Sequence, residues 1–187
     1  DRPKVHVGMG AFNLVRANAY RACGGYEALR LTVVDDVKLG LLLRRAGKRS
    51  RAFLGADDVE CHWGKSVADL VKVFEKNYFA AIDYRLVIVI AFGSAMLLII
   101  GLLIFGWLSG TAAGLVAFFS PLAQILPAAI LARRVGWPWP CAVLMPFMFP
   151  TFLYALLNST FTTLRQGGIR WRNTLYPLKT LRENNVQ

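Results

Sequence analysis

Between Leu86 and Ala132 the sequence has no charged residue at all. A run of that length excludes a water-facing loop or a half-buried strand. About 30 Å of hydrocarbon takes roughly 20 apolar residues to cross, so the run is long enough for two crossings. Acids are scarce throughout, 11 against 22 Lys and Arg, and every acid except Glu183 lies at or before Asp83. Cysteine is scarce too: Cys23, Cys61 and Cys141 are odd in number and form no CxxC pair. That pattern points away from a disulfide framework or a zinc site and toward reduced thiols. Gly8-x-Gly10 lacks the later glycine and the Lys-Ser/Thr of a phosphate loop. No Ser/His/Asp or Cys/His set stands in a recognisable local context. The net charge of +11 comes without a basic stripe interleaved with aromatics, which argues against a nucleic-acid partner. The cations flank apolar segments instead, where anionic lipid headgroups attract each surface-near Lys or Arg by about 1 kcal/mol.

What is present divides into four stretches. Residues 1–64 carry the mixed charge of a water-facing domain. The chain opens at Asp1 without an initiator methionine or a signal-peptide pattern, and we expect it to be the C-terminal portion of a longer protein. Lys4 to Val7 is β-branched and predicts a short strand running into Gly8-Met9-Gly10-Ala11-Phe12, where small residues permit close backbone approach. Leu14 to Cys23 predicts a short helix ended by Gly24-Gly25. Asp35-Asp36 opens a second helix that closes with Arg44, Arg45 and Gly47; acids at the start and cations at the end complement its dipole. Arg51 to Cys61, near Trp63, reads as one more strand or extended segment.

Residues 65–85 follow a different rule. Ser66 and Asp69 form an acidic variant of the capping box, and Val67, Leu70, Val71, Phe74, Tyr78, Ala81 and Ile82 share one helical face. An amphipathic helix lying among lipid headgroups fits this pattern, and so does a core helix of the water-facing domain. Residues 86–164 form the apolar region, with spans expected at about 86–107 and 111–132 joined by a turn at Ser109-Gly110. Between Trp137 and Leu164, Pro138, Pro140, Pro146 and Pro150 predict a broken, re-entrant or double-pass element, the alternative being a single crossing that overrules the charges of the tail. The positive-inside rule favours such a return, because Arg133-Arg134 and the basic tail 165–187 both seek the cytoplasmic side.

Single residues leave chemistry open. Acids at Asp35 and Asp36 are explained by helix capping alone, and His62 by surface packing as readily as by metal ligation. Their order is more telling. Gly8-Met9-Gly10-Ala11-Phe12-Asn13-Leu14-Val15-Arg16, then Tyr20 with Gly24-Gly25-Tyr26, then Val34-Asp35-Asp36-Val37-Lys38-Leu39-Gly40 and Leu43-Arg44-Arg45-Ala46-Gly47, resembles the second half of the catalytic domain of membrane-anchored family 2 glycosyltransferases. The resemblance covers roughly Val5 to Arg85, and the following spans suit the ceramide-glucosyltransferase-like and polysaccharide-synthase members. Gly168 to Tyr176 is also similar to a post-membrane segment of some of them.

The resemblance implies an α/β class, the second half of a Rossmann-like GT-A domain, followed by the interfacial helix and helical membrane region. It implies a nucleotide-sugar donor, a lipid or membrane-embedded acceptor, and a catalytic part on the cytoplasmic face of a multi-pass membrane protein. Asp36 would be the general base, with Asp35 its acidic neighbour; Gly10, Ala11, Phe12 and Asn13 would line the acceptor side, with Gly24 and Gly25 shaping the adjoining loop. The family's D-x-D motif, which holds Mg²⁺ or Mn²⁺ and the donor diphosphate, does not occur in these residues, so this portion alone is expected not to turn over. The Q-x-x-R-W motif of processive synthases is also missing: Phe74-Glu75-Lys76-Asn77-Tyr78 stands where it could fall, and Arg170-Trp171 matches only its last two letters. A single-transfer enzyme is therefore expected over a chain-building synthase, the competing class being a non-catalytic lipid-binding or assembly subunit.

Overall fold

A computed structural model describes residues 6–53, 55, 58–59, 61–62, 64–171 and 173–186. The chain divides into two compact units, one of Asp1–Tyr84 with Ser159–Gln187 and the other of Arg85–Asn158.

The first unit begins with α1 (Ala17–Ala22), which ends where Gly24 and Gly25 take φ of +80° and +54°, values that only glycine adopts without a steric cost. Then comes α2 (Asp35–Arg45). Asp35 and Asp36 fill its first turn, Arg44 and Arg45 its last, and Gly47 follows at φ +71°, as the charge pattern predicts. A small core forms where Leu39 and Leu43 of α2 meet Ala19 of α1 and Leu29. The leucines fall on one face because positions four apart align on a helix.

The expected α/β layer does not emerge among the described residues. His6, Val7 and Gly8 pair with no strand, and Lys4 and Val5 lie outside the described residues. A strand needs a neighbour for its backbone N–H and C=O groups, and this segment packs on a helix instead: a side chain on Gly40 would strike the Val7 carbonyl. The segment expected to be extended after Arg51 contains a turn, with the Asp58 and Val59 N–H groups donating to the Gly55 carbonyl at 3.1 and 2.8 Å. Leu54, Ala56, Asp57, Glu60 and Trp63 of that region lie outside the described residues.

The capping box forms as the sequence predicts. Ser66 Oγ accepts from the Asp69 N–H at 3.1 Å, and Asp69 Oδ2 accepts from the Lys65 N–H at 3.0 Å. It starts α3 (Val67–Glu75), which has no fully buried residue. The single amphipathic helix expected through Ile82 breaks at Asn77, and α4 (Tyr78–Ala81) follows with Phe79 and Ala80 buried. The core-helix alternative thus describes α4, while α3 keeps the half-covered surface of an amphipathic element. Asp83 and Tyr84 then take φ of +55° and +58°. Left-handed backbone costs a non-glycine residue on the order of 1–3 kcal/mol, so surrounding contacts must hold this turn.

The second unit starts with α5 (Leu86–Leu108). Gly110, at φ +63°, turns the chain, and Thr111 caps α6 (Ala112–Phe119) by accepting from the Gly114 N–H. Gly106 and Gly114 lie backbone to backbone, since a side chain on either would strike the other's carbonyl. Small residues at such a contact let apolar helices approach closely. A tight 3-10 segment (Ser120–Gln124) containing Pro121 leads into α7 (Ile125–Arg134).

The proline-rich stretch is helical but not uniform. A 3-10 segment (Trp139–Leu144) passes into α8 (Met145–Gln166), giving one helical path of 28 residues from Trp139 to Gln166. Pro138, Pro140 and Pro146 sit at or beside segment starts, where the N–H they lack has no helical partner to lose. Only Pro150 lies inside the helix. With Leu86–Leu108 and Ala112–Arg134, this gives three helices long and apolar enough to cross a membrane.

The basic tail belongs to the first unit. Strands β1 (Gly168–Trp171) and β2 (Thr174–Pro177) form an antiparallel hairpin, and α9 (Leu178–Glu183) follows. Arg172 lies outside the described residues. Ile169 and Leu181 are buried, and Lys76 Nζ stands 4.8 Å over the Trp171 ring. Ser159, fully buried at the start of this return, accepts from the Phe79 N–H at 3.0 Å and donates to the Glu75 carbonyl at 2.5 Å. One hydroxyl thereby serves the two backbone groups that the break between α3 and α4 leaves open.

Candidate active site around Asp36

Asp36 lies in the first turn of α2, where helix N–H groups have no partner within the helix. Its Oδ1 accepts from the Val37 N–H at 2.8 Å, and Asp35 Oδ1 accepts from the Asp36 N–H at 3.0 Å. The other Asp36 oxygen, Oδ2, faces the glycine turn. A Cβ on Gly10 would stand 2.8 Å from it, so a larger residue there would push the carboxylate aside. Gly8 packs against the Asp36 carbonyl in the same way. The turn itself is closed by Asn13, whose Oδ1 accepts from the Met9 N–H at 3.2 Å. Ala11 and Phe12 are exposed, Phe12 at 61 %, a large apolar ring presented to whatever enters.

Gly24 and Gly25 act at one remove. Gly25 lies on the Tyr20 ring, with no room for a side chain between them. The Tyr20 hydroxyl accepts from the Tyr26 N–H at 2.9 Å, and the two rings stand 6.0 Å apart. Burial, and then the negative charges of Asp35 and Asp36, raise the Tyr26 pKa, so its phenol stays protonated. The structure thus brings Gly10, Asp35 and Asp36 together and sets Gly24 and Gly25 behind a tyrosine pair facing the same acids. Sequence reasoning assigned no role to Tyr20 or Tyr26. Their positions flanking Gly24-Gly25 were the available signal.

His62 is exposed, and among the described residues no group of three or more His, Cys, Asp or Glu could hold a metal ion. The other face of α2 borders a cavity of about 360 Å³, lined by His6, Lys38, Arg44 and Asp83 among apolar Val37 and Leu41. Burial first, and then the charges of Arg44 and Lys38, lower the His6 pKa and favour its neutral form. No family model matches this chain, and no curated protein or solved structure matches it either.

Proposed function

We propose that this chain is the acceptor-side part of an inverting glycosyltransferase that moves a sugar from a nucleotide-sugar donor to a lipid-embedded alcohol. The observation that carries the reading is the division of labour on Asp36: one oxygen is pinned by the helix start, and the other faces Gly10 without a hydrogen-bond partner among the described residues. In the proposed step the acceptor oxygen bonds to the anomeric carbon, its proton passes to Asp36 Oδ2, and the bond to the nucleoside diphosphate breaks. An alcohol is a poor nucleophile until a carboxylate within hydrogen-bond reach takes its proton. Pinning Oδ1 fixes where that base stands, which is a large part of what an enzyme contributes. The three apolar helices support a membrane-resident acceptor, and the exposed Phe12 ring supports an amphiphilic one. Arg133-Arg134, at the end of the second span, support a cytoplasmic face for the catalytic part.

Mg²⁺ or Mn²⁺ is the expected partner of the donor diphosphate. The described residues form no group that would hold it, so no step is derived through an ion.

Asp36→Asn tests the reading sharply, because the amide oxygen can still accept from the Val37 N–H while losing its use as a base. Transfer by the complete protein should fall by about 10²–10⁴-fold with donor binding retained. Turnover near the wild-type rate overturns the assignment. A second reading has its own observation: both acids accept backbone N–H groups at the helix start, as pure capping residues do. On that reading the chain is a non-catalytic lipid-binding or assembly subunit, and the wild-type protein transfers no sugar.

A further inference from the structure

Helix α2 is held from behind, by groups far away in sequence. Lys38 lies two positions after Asp36, some 200° around the helix from it. It is 7 % exposed, and its Nζ makes a 2.8 Å ion pair with Asp83 Oδ1. The same oxygen accepts from Asn185 Nδ2 at 2.8 Å. One residue on, the Tyr84 carbonyl accepts from Arg182 Nη2 at 3.1 Å, and the Tyr84 ring is buried edge-on against Phe79 at 5.5 Å. Asp83 and Tyr84 are the non-glycine residues with left-handed backbone among those described, and they stand close before α5 in the chain. The C-terminal segment therefore grips a strained turn, and that turn grips the helix bearing Asp36.

We propose that Asp83 is a node through which the C-terminal segment, by Asn185 and Arg182, fixes the placement of α2, with Lys38 as a positioning residue for Asp36. The catalytic half of this inference rests on the glycosyltransferase reading; the mechanical half does not. A buried lysine paired to one carboxylate oxygen cannot shift without stranding a charge, so the rear of α2 has one preferred position. Asp36 Oδ2 can stay aligned with Gly10 only while that position holds. Arg182 and Asn185 bond to Tyr84 and Asp83, the turn that holds Lys38.

The test is amide hydrogen exchange on the full-length protein in detergent micelles, with sugar transfer measured in parallel. Lys38→Met should raise exchange across residues 38–46 by about tenfold, a local-opening change, and leave the 168–177 hairpin as it was. Lys38→Arg, which keeps the ion pair, should restore protection. The double substitution Arg182→Gln with Asn185→Ala is the sharper variant, because it alters no residue of α2. It should raise exchange in α2 in the same way and lower kcat by about 10–100-fold with the donor KM unchanged, the scale of a small misplacement of a catalytic group. Wild-type protection of α2 in that double variant overturns the node, whatever Lys38→Met does. If exchange rises as expected but the wild-type protein transfers no sugar, the mechanical node stands and the glycosyltransferase reading falls. If Asp36→Asn is inactive while α2 exchange stays unchanged in the double variant, the converse holds.

Discussion

Leu14 and Leu97 are both exposed, at 89 % and 67 %, and they mean opposite things. Leu14 lies in the first unit between Asn13 and Arg16, where charged and polar residues interrupt the apolar ones, and apolar residues scattered in that way are normal on a water-facing surface. Leu97 belongs to α5, where the most apolar stretch is only 6 % buried and Leu86 to Leu108 is without charge. A contiguous apolar surface of that extent marks a boundary with something other than water. The helices α2 and α5 repeat the contrast. Both are rich in leucine, but α2 has acids at its start, arginines at its end and Leu39, Leu41 and Leu43 buried inside. Helix α5 has no charge within it and only Val89 and Gly106 buried. Exposure by itself therefore says little; the surrounding solvent is read from charge placement, end chemistry and the continuity of the apolar surface together.

Substitutions can break or sharpen that contrast. The largest effect is expected for Leu97→Arg, which should cost about 2.5–3.5 kcal/mol of membrane insertion, whereas Leu14→Arg should change stability by no more than about 0.5 kcal/mol. A glycosylation-mapping insertion assay for the first and thermal unfolding for the second would read the two, and equal effects would erase the distinction. Next comes Ser159→Ala, which leaves the buried Phe79 N–H and Glu75 carbonyl without their shared partner. A loss of about 1–3 kcal/mol is expected in denaturant titrations followed at the first unit. The smallest effect concerns His6. Its folded pKa lies below the ordinary 6.5, so the unfolded chain takes up the proton first. The stability of the first unit should therefore decline as pH falls below about 6.5, levelling off once the folded His6 also titrates. His6→Gln should flatten that part of a melting-temperature profile between pH 7.5 and 5, and an unchanged slope would remove His6 as its source.

Local signals were legible wherever neighbours in sequence decide the outcome. The Ser66 cap, the acid-to-arginine run of α2, the Gly24-Gly25 stop and the Ser109-Gly110 turn all form as their residues predict. The path of the proline-rich segment could not be read by counting prolines, which ignores where they fall. Three of four occupy positions with no hydrogen bond to lose, and a helix accepts them there. The strand expected before Gly8 could not be judged from β-branched residues alone, since a strand exists only with a partner to complete its ladder. The C-terminal segment was read as a basic tail because its charges dominate its composition. Its order comes from Ile169, Leu181, Arg182 and Asn185 meeting the first unit, with contacts about a hundred residues apart.

For the candidate site, the identity of Asp36 and of the Gly10 turn was visible as a pattern of residues, while their meeting was not. The sequence by itself determined the apolar spans, the helix ends and the turns, because length, charge and capping act over a few residues and need no knowledge of the fold. Tertiary structure alone decided which Asp36 oxygen faces Gly10, that the Tyr20 hydroxyl meets the Tyr26 N–H, and that Lys38 and Asn185 converge on one Asp83 carboxylate oxygen. Those are meetings between distant segments. Chain entropy opposes each of them, and only the packing of the whole unit supplies the free energy to hold them.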